Sequence, residues 1–285
     1  MRFFFLSTIL LGFLREGLCF GGELRLTPRE VNNGGVAILR WDGAPPDFGV
    51  ARFLGQVIYF YPDRSGAVAL LPVPLDTLPG IYPLPVVVVE ENGTTNAFEL
   101  ELPVRQLERP EESLTLPERM VSPRDPQDLA RIARESRLLK ELFAERGGRL
   151  WDRFARPVDD PISSVFGKRR LLNGQPRAPH SGTDFRSPAG TPVGALSSGR
   201  VVLQEDLFYT GKTVVIDHGE GLFSVYAHLS SSAVKPGDLV KVGEVVGAVG
   251  STGRSTGPHL HLSLRLLGAR IDPMLLLEAF QQQES

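Results

Sequence analysis

Thirty glycines and 23 prolines are spread through the 285 residues of this chain, and no other feature restricts its folding more. Glycine weakens helix and strand interiors and proline removes a backbone donor, so both collect where a chain turns. The expectation is a mainly β protein of many short strands rather than long helices. Around Gly55, the residues Phe53, Val57, Tyr59 and Tyr61 keep a period of two, the spacing of half-buried strands. Residues 86–89 are a continuous valine run of the kind buried on both faces, and five prolines between Leu71 and Pro85 suit strand edges and turns. Asn92-Gly93 is a hairpin signal. Residues 22–108 therefore read as a β-sandwich of roughly immunoglobulin type. No titratable groups cluster there, which suits a structural or docking domain.

At Leu107 the composition becomes charged and proline-rich, and residues 109–150 read as a linker carrying a helix. Asp125 is its expected N-cap, Pro126 fits the first turn, and Gly147-Gly148 marks the stop. Leu129, Ile132, Ala133, Leu139 and Phe143 recur near the spacing of one helical face. From Trp151 to the end, residues 151–285, short strands return. The best candidates are 193–203, 213–217, 222–227, 239–249 and 259–266, with a short helix after Pro273. The glycine-rich residues 250–257 contain no Gly-Lys-Ser/Thr and precede a strand, so they form a turn and not a phosphate loop.

At the other end, Arg2 precedes twelve mostly apolar residues, too few to span a bilayer but proportioned like a secretory h-region. Residues 1–21 are thus a signal peptide or N-terminal anchor, and the protein is expected in the periplasm, the cell envelope or outside the cell. Cys19 is the only cysteine, so neither a disulfide framework nor a thiolate-rich zinc site is available. A formal charge of −2 excludes a chain built to neutralise nucleic acid.

All five histidines fall between His180 and His261. In a strand, His259 and His261 point to one face. His180 and Asp184 stand four apart around a glycine, a spacing that can close on one ion in an extended stretch. His228 ends the Tyr226-Ala-His segment of another expected strand. Catalytic zinc takes three protein ligands of the His and carboxylate type, and spare imidazoles serve proton transfer. Spacing alone does not separate ligand from base. A serine hydrolase is excluded because no Gly-x-Ser-x-Gly elbow is present.

The string from Ser163-Ser-Val-Phe-Gly-Lys-Arg169, through HSGTD, Ser198-Gly199-Arg200-Val201, YAHLS and V-K-P-G-D-L-V, to GSTGRSTGPHLH resembles the LytM/lysostaphin-type zinc metallopeptidases. These cut peptide cross-links in bacterial peptidoglycan. The likeness covers about residues 157–273 in order and spacing. It implies that His180, Asp184 and His261 bind zinc and that His228 and His259 act in catalysis. It also implies a small, mainly antiparallel β domain of the duplicated hybrid motif type, with its site in a groove on one sheet. Leu78-Pro-Gly-Ile-Tyr82 resembles the sandwich domain preceding some of these peptidases. An envelope protein is a candidate partner for this N-terminal domain. Relatives that cut glycine bridges carry a tyrosine shortly before the first ligand. None occurs here between Trp151 and Phe208, which favours cross-links between D-alanine and a diamino acid.

Arg169, with Arg170 and Arg177, is a candidate to line the groove and meet substrate carboxylates, a solvated face being the alternative. Asp217 lacks the family spacing, His218 reads as a turn residue, and Tyr226 as a strand residue packed near the site. The alternative to an enzyme is a non-catalytic envelope scaffold or the activator of a separate peptidoglycan amidase. Proteins of that kind have typically lost ligands, and this chain retains all three.

Overall fold

A computed structural model describes residues 22–284, so the expected export segment and Cys19 lie outside the described residues. Among the described residues, no helix is long and apolar enough to cross a membrane. The chain is mainly β. Its first part holds two sheets. One runs Glu23–Thr27, Val36–Asp42, Gly66–Pro72, Tyr61–Asp63; the other runs Val31–Asn32, Thr95–Arg105, Gly80–Val89, Phe48–Phe53, Gln56–Tyr59. They share a core that includes Trp41, Leu39, Phe53, Leu71, Leu84 and Leu102.

The period-two pattern around Gly55 belongs to two strands of a hairpin. Leu54 and Gly55 both take left-handed φ values, 47° and 76°, and Phe53 pairs with Gln56 across them. Opposed residues share a face, so Ala51 and Phe53 bring Ile58 inward while Val57 and Tyr59 are exposed. The valine run also differs from its expectation: Val86 and Val88 are buried, whereas Val87 and Val89 are half-buried. Only one side of that strand faces the core. Pro83 and Pro85 fall in the part of Gly80–Val89 that pairs with Thr95–Arg105 but not with Phe48–Phe53, where a missing donor is tolerated.

The largest sheet occupies the second part, in the order Ile162–Ser164, Thr183–Phe185, Leu260–Leu266, Leu222–Ser232, Gly211–Asp217, Gly199–Leu207, Leu239–Val240. Two expected strands are each split in two. Gly243, at φ 77°, turns the chain between Leu239–Val240 and Val245–Val249. Between Pro192–Gly194 and Gly199–Leu207 the fully buried Ser197 donates its hydroxyl to the Arg153 carbonyl and pins a bend. Val36, Ile38, Val68 and Leu70 from the first part share one core cluster with Tyr226, Leu262 and Leu276 from the second. Helix Pro273–Glu284 packs against strand Val36–Asp42 at that seam.

Helix Pro126–Leu142 begins as expected, the Asp125 carboxylate accepting the Gln127 N–H at 2.7 Å. It stops well before the glycines, which belong to the next loop, where the Gly147 carbonyl accepts from Glu220 N–H. Its inward face also differs: Leu129 and Ala133 are exposed. Leu138, Leu139, Leu142 and Phe143 pack on Leu207, Val215 and Phe223. Nearer its start, the buried Glu135 carboxylate accepts the Phe208 N–H at 2.8 Å and the Arg131 Nε–H at 2.6 Å. The segment 109–150 is also more than a connection, because its strand Glu111–Leu114 pairs in parallel with Arg169–Leu172.

Candidate metal centre

Strand pairing brings the first two groups together. Asp184 in Thr183–Phe185 stands directly opposite His261 in Leu260–Leu266, and Ala227 flanks His261 on the other side. His180 lies in the turn before its strand, held by backbone bonds from its carbonyl to Gly167 N–H and from its N–H to the Lys168 carbonyl. Three buried donor atoms converge: His180 Nε2 lies 3.0 Å from Asp184 Oδ1, His261 Nδ1 lies 2.7 Å from that oxygen, and the two nitrogens are 3.1 Å apart.

Proton placement shows what this triangle accommodates. His180 Nδ1 is 3.0 Å from the Val165 carbonyl, which only accepts, so Nδ1 carries the proton and Nε2 a lone pair. That lone pair faces a carboxylate oxygen, an acceptor against an acceptor, and a cation between them relieves the repulsion. A tetrahedral zinc site with ligand bonds near ~2.0–2.1 Å has donor–donor edges of about 3.3 Å, close to the spacing here. Two imidazoles and one carboxylate are also the ligand types catalytic zinc takes, so the residues present fit that ion.

His228 arrives by a local irregularity. Tyr226 and Leu229 both face the shared core, leaving two residues between them, Ala227 and His228, on the site face. The pairing confirms one extra residue: Tyr226 opposes Val214 while Leu229 opposes Lys212. His228 takes φ 61° at this bulge. Its Nδ1 is 2.7 Å from the Thr252 carbonyl, which leaves the Nε2 lone pair free. Burial, reinforced by His261 and His259, pulls its pKa down to about 3, so the ring is neutral at pH 7. His259 Nδ1 likewise faces a carbonyl, that of Gly257 at 2.9 Å, and its Nε2 lies 3.8 Å from Asp184 Oδ1. The His228 and His259 ring centroids are 4.8 Å apart, and both rings line a cavity of about 290 Å³ with Asp184 and His261.

A charged relay orients the carboxylate. Arg170 Nη2 lies 3.2 Å from Asp184 Oδ2, the oxygen outside the triangle, and Arg170 Nε donates to Glu112 Oε2 at 3.1 Å. Glu112 also accepts from Lys168 Nζ at 3.2 Å. Arg170 and Glu112 line the cavity, whereas Arg169, one position earlier on a strand of alternating sides, is exposed and does not line it. Glu112 carries no signal in the sequence, because only the pairing of strands 58 positions apart brings it to Arg170. Arg177 binds the Val121 carbonyl instead. His218 is fully buried between the Ser198 carbonyl and Ser224 Oγ, and burial pulls it down to about 4. On the opposite face of its strand, Tyr226 Oη accepts from Leu196 N–H at 2.6 Å and from Ser224 Oγ–H at 3.0 Å.

Residues 178–273 match the sequence model of Peptidase family M23. The peptidoglycan DD-endopeptidase ShyA of Vibrio cholerae is 44% identical over 138 residues, 47% of this chain and 32% of ShyA. The DD-carboxypeptidase/endopeptidase Mpg of Neisseria meningitidis is 42% identical over 113 residues, 40% of this chain and 26% of Mpg. The chain thus spans about a third or less of the length of these curated relatives. A crystal structure assigned to peptidase M23 from Pseudomonas aeruginosa aligns with a TM-score of 0.66 at 34% identity, covering 87% of this chain and 95% of that one. A family pattern that brackets the His–Asp–His triangle, and a fold followed along nearly all of that relative, establish that the chain belongs to peptidase family M23.

Proposed function

We propose that the protein is a zinc-dependent endopeptidase that hydrolyses peptide cross-links of bacterial peptidoglycan, at bonds between D-alanine and a diamino acid. The observation that carries this reading is the triangle of His180 Nε2, Asp184 Oδ1 and His261 Nδ1 with two further imidazoles beside it. The names of ShyA and Mpg support the substrate class and the D,D-type bond. In this reading residues 151–285 form the catalytic unit, residues 22–108 a docking domain, and residues 1–21 direct export to the envelope or beyond.

His180, Asp184 and His261 would hold the zinc ion. When bound, zinc polarises a carbonyl oxygen and acidifies water, the two requirements of amide hydrolysis. The chain's own groups do the rest. His228 and His259 present Nε2 lone pairs to the cavity, accept the proton of the attacking water and return it to the leaving amine. As imidazolium, either ring donates to the oxyanion that forms at the attacked carbon. Arg170 keeps Oδ1 of Asp184 directed at the triangle by holding Oδ2.

The test is digestion of purified cross-linked muropeptides by the zinc-loaded full chain, with mass spectrometry of the new termini. His180→Ala, Asp184→Ala and His261→Ala are expected to lose zinc and cleavage together. His228→Ala and His259→Ala are expected to keep zinc and lose cleavage by at least about 10²-fold. Wild-type protein that binds zinc and leaves every cross-link intact overturns the enzyme in favour of a scaffold.

A further inference from the structure

Beside the metal centre lies a second cavity of about 240 Å³, between helix Pro126–Leu142 and the large sheet. Arg254, Arg265 and Arg270 line it with Ser181, Tyr209 and Ser263. Arg265 and Arg270 stand directly opposite each other on antiparallel strands, where like charges repel. Arg265 and Arg254 are half-buried and Arg270 is exposed; the Arg265 guanidinium is 5.3 Å from the Phe143 ring centroid and that of Arg254 4.5 Å from the Tyr209 ring centroid. Among the described residues, none of the three forms an ion pair with a carboxylate. The cavity's one acidic residue, Glu135, is committed to Phe208 N–H and Arg131.

Unpaired charge held partly out of water is costly. Burial, with Arg270 adding to it, pulls Arg265 down to about 10, and burial lowers Arg254 as well. Two half-buried guanidiniums, with that of the exposed Arg270 beside them, around one hollow are explained by an anion that arrives from outside the chain. The cavity's position identifies the carrier. His261 and Arg254 line both this cavity and the groove that holds Asp184 and His259, so the anion belongs to a molecule already seated at the metal centre. We propose that Arg254, Arg265 and Arg270 form an anion subsite that receives a carboxylate of the peptide substrate next to the metal centre. The guanidinium fork matches a carboxylate's two oxygens. The identity of that substrate rests on the function proposed above; the subsite itself does not.

The experiment compares two synthetic cross-linked peptides that differ only in a free carboxylate or its carboxamide beside the scissile bond. The zinc-loaded full chain is expected to prefer the carboxylate by about tenfold in kcat/KM, equivalent to about 1.4 kcal/mol, chiefly through KM. Arg265→Gln is expected to bring the preference to about one at normal zinc content, and Arg265→Lys to restore part of it. Equal cleavage of both peptides by wild-type protein, or an undiminished preference in Arg265→Gln, overturns the subsite. NMR of the arginine Nε–H groups separates this from the catalytic reading. N-acetyl-D-alanine is expected to shift the Arg265 resonance and N-acetyl-D-alaninamide to leave it in place. Such a shift in a protein that cuts no cross-link refutes the endopeptidase and supports the subsite. Cleavage with neither shift nor preference does the reverse.

Discussion

Replacing Glu220 with glutamine should make the protein more stable at neutral pH, by an amount that grows with pH. Glu220 sits at φ 56° in the turn between Gly211–Asp217 and Leu222–Ser232, and only 3% of it is exposed. It closes a cavity against Tyr59, Tyr61 and Leu70 of the first part and Leu266 of the second. Oε1 has no hydrogen-bond partner. Burial raises its pKa from 4.5 to about 8, against the opposing pull of Arg149 and the Trp151 indole. Between those two values the folded chain keeps a proton that the unfolded chain releases, so stability falls as pH rises, by about 1.4 kcal/mol per unit. The loss begins near pH 4.5, reaches about 3 kcal/mol at pH 7 and levels off near ~5 kcal/mol above pH 8. Glutamine keeps the shape without the titration. Urea unfolding of both proteins from pH 4 to 9 is the assay. The difference between Glu220→Gln and wild type should be close to zero at the acid end and climb with that slope. A difference that does not change with pH would refute the burial argument.

Two further substitutions probe how the sheet supports the site. A Cβ on Gly182 would lie 2.2 Å from the Leu262 carbonyl oxygen and 2.9 Å from the His261 ring; Gly182→Ala should cost about 1–3 kcal/mol and weaken zinc retention, read by metal analysis after dialysis. Glu135→Ala strands the buried Phe208 N–H and should cost about 1–3 kcal/mol, with loss of hydrogen-exchange protection at that amide. Arg134→Ala, whose side chain is largely exposed at 3.9 Å from the same carboxylate, should stay within about 0.5 kcal/mol of wild type.

Local chemistry made some features legible in the sequence. Asp125 and Pro126 announce a helix start because the cap bond spans two residues. His259 and His261 share a face through the period of a strand. The stop at Leu142 was not legible: the apolar last turn docks on Leu207 and Phe223, and the chain leaves the helix there without needing a glycine. The inward face of its first half was equally hidden, since Asp128 is buried there against Arg119, which precedes the helix, and Glu135 against the distant Phe208 N–H. His228 was recognisable as a residue but not as a geometry, because one inserted position in its strand turns it toward His261.

By itself the sequence determined the mainly β framework, imposed by its glycines and prolines, and the stock of clustered histidines and nearby carboxylates from which a site could be drawn. Those follow from residue chemistry and short-range spacing. Only the tertiary structure decided the groups that tune it. The pairing of Glu111–Leu114 with Arg169–Leu172 brings Glu112 to Arg170 and Arg170 to Asp184, and it leaves Arg169 facing away. The pairing of Leu260–Leu266 with Ala269–Ile271 sets Arg265 against Arg270 beneath a helix that begins well over a hundred residues earlier. Glu112 and Arg170, or Arg265 and the helix above it, are too distant along the chain to leave a spacing to recognise. Their meeting is a consequence of strand register and shared burial, which exist only once the chain has folded.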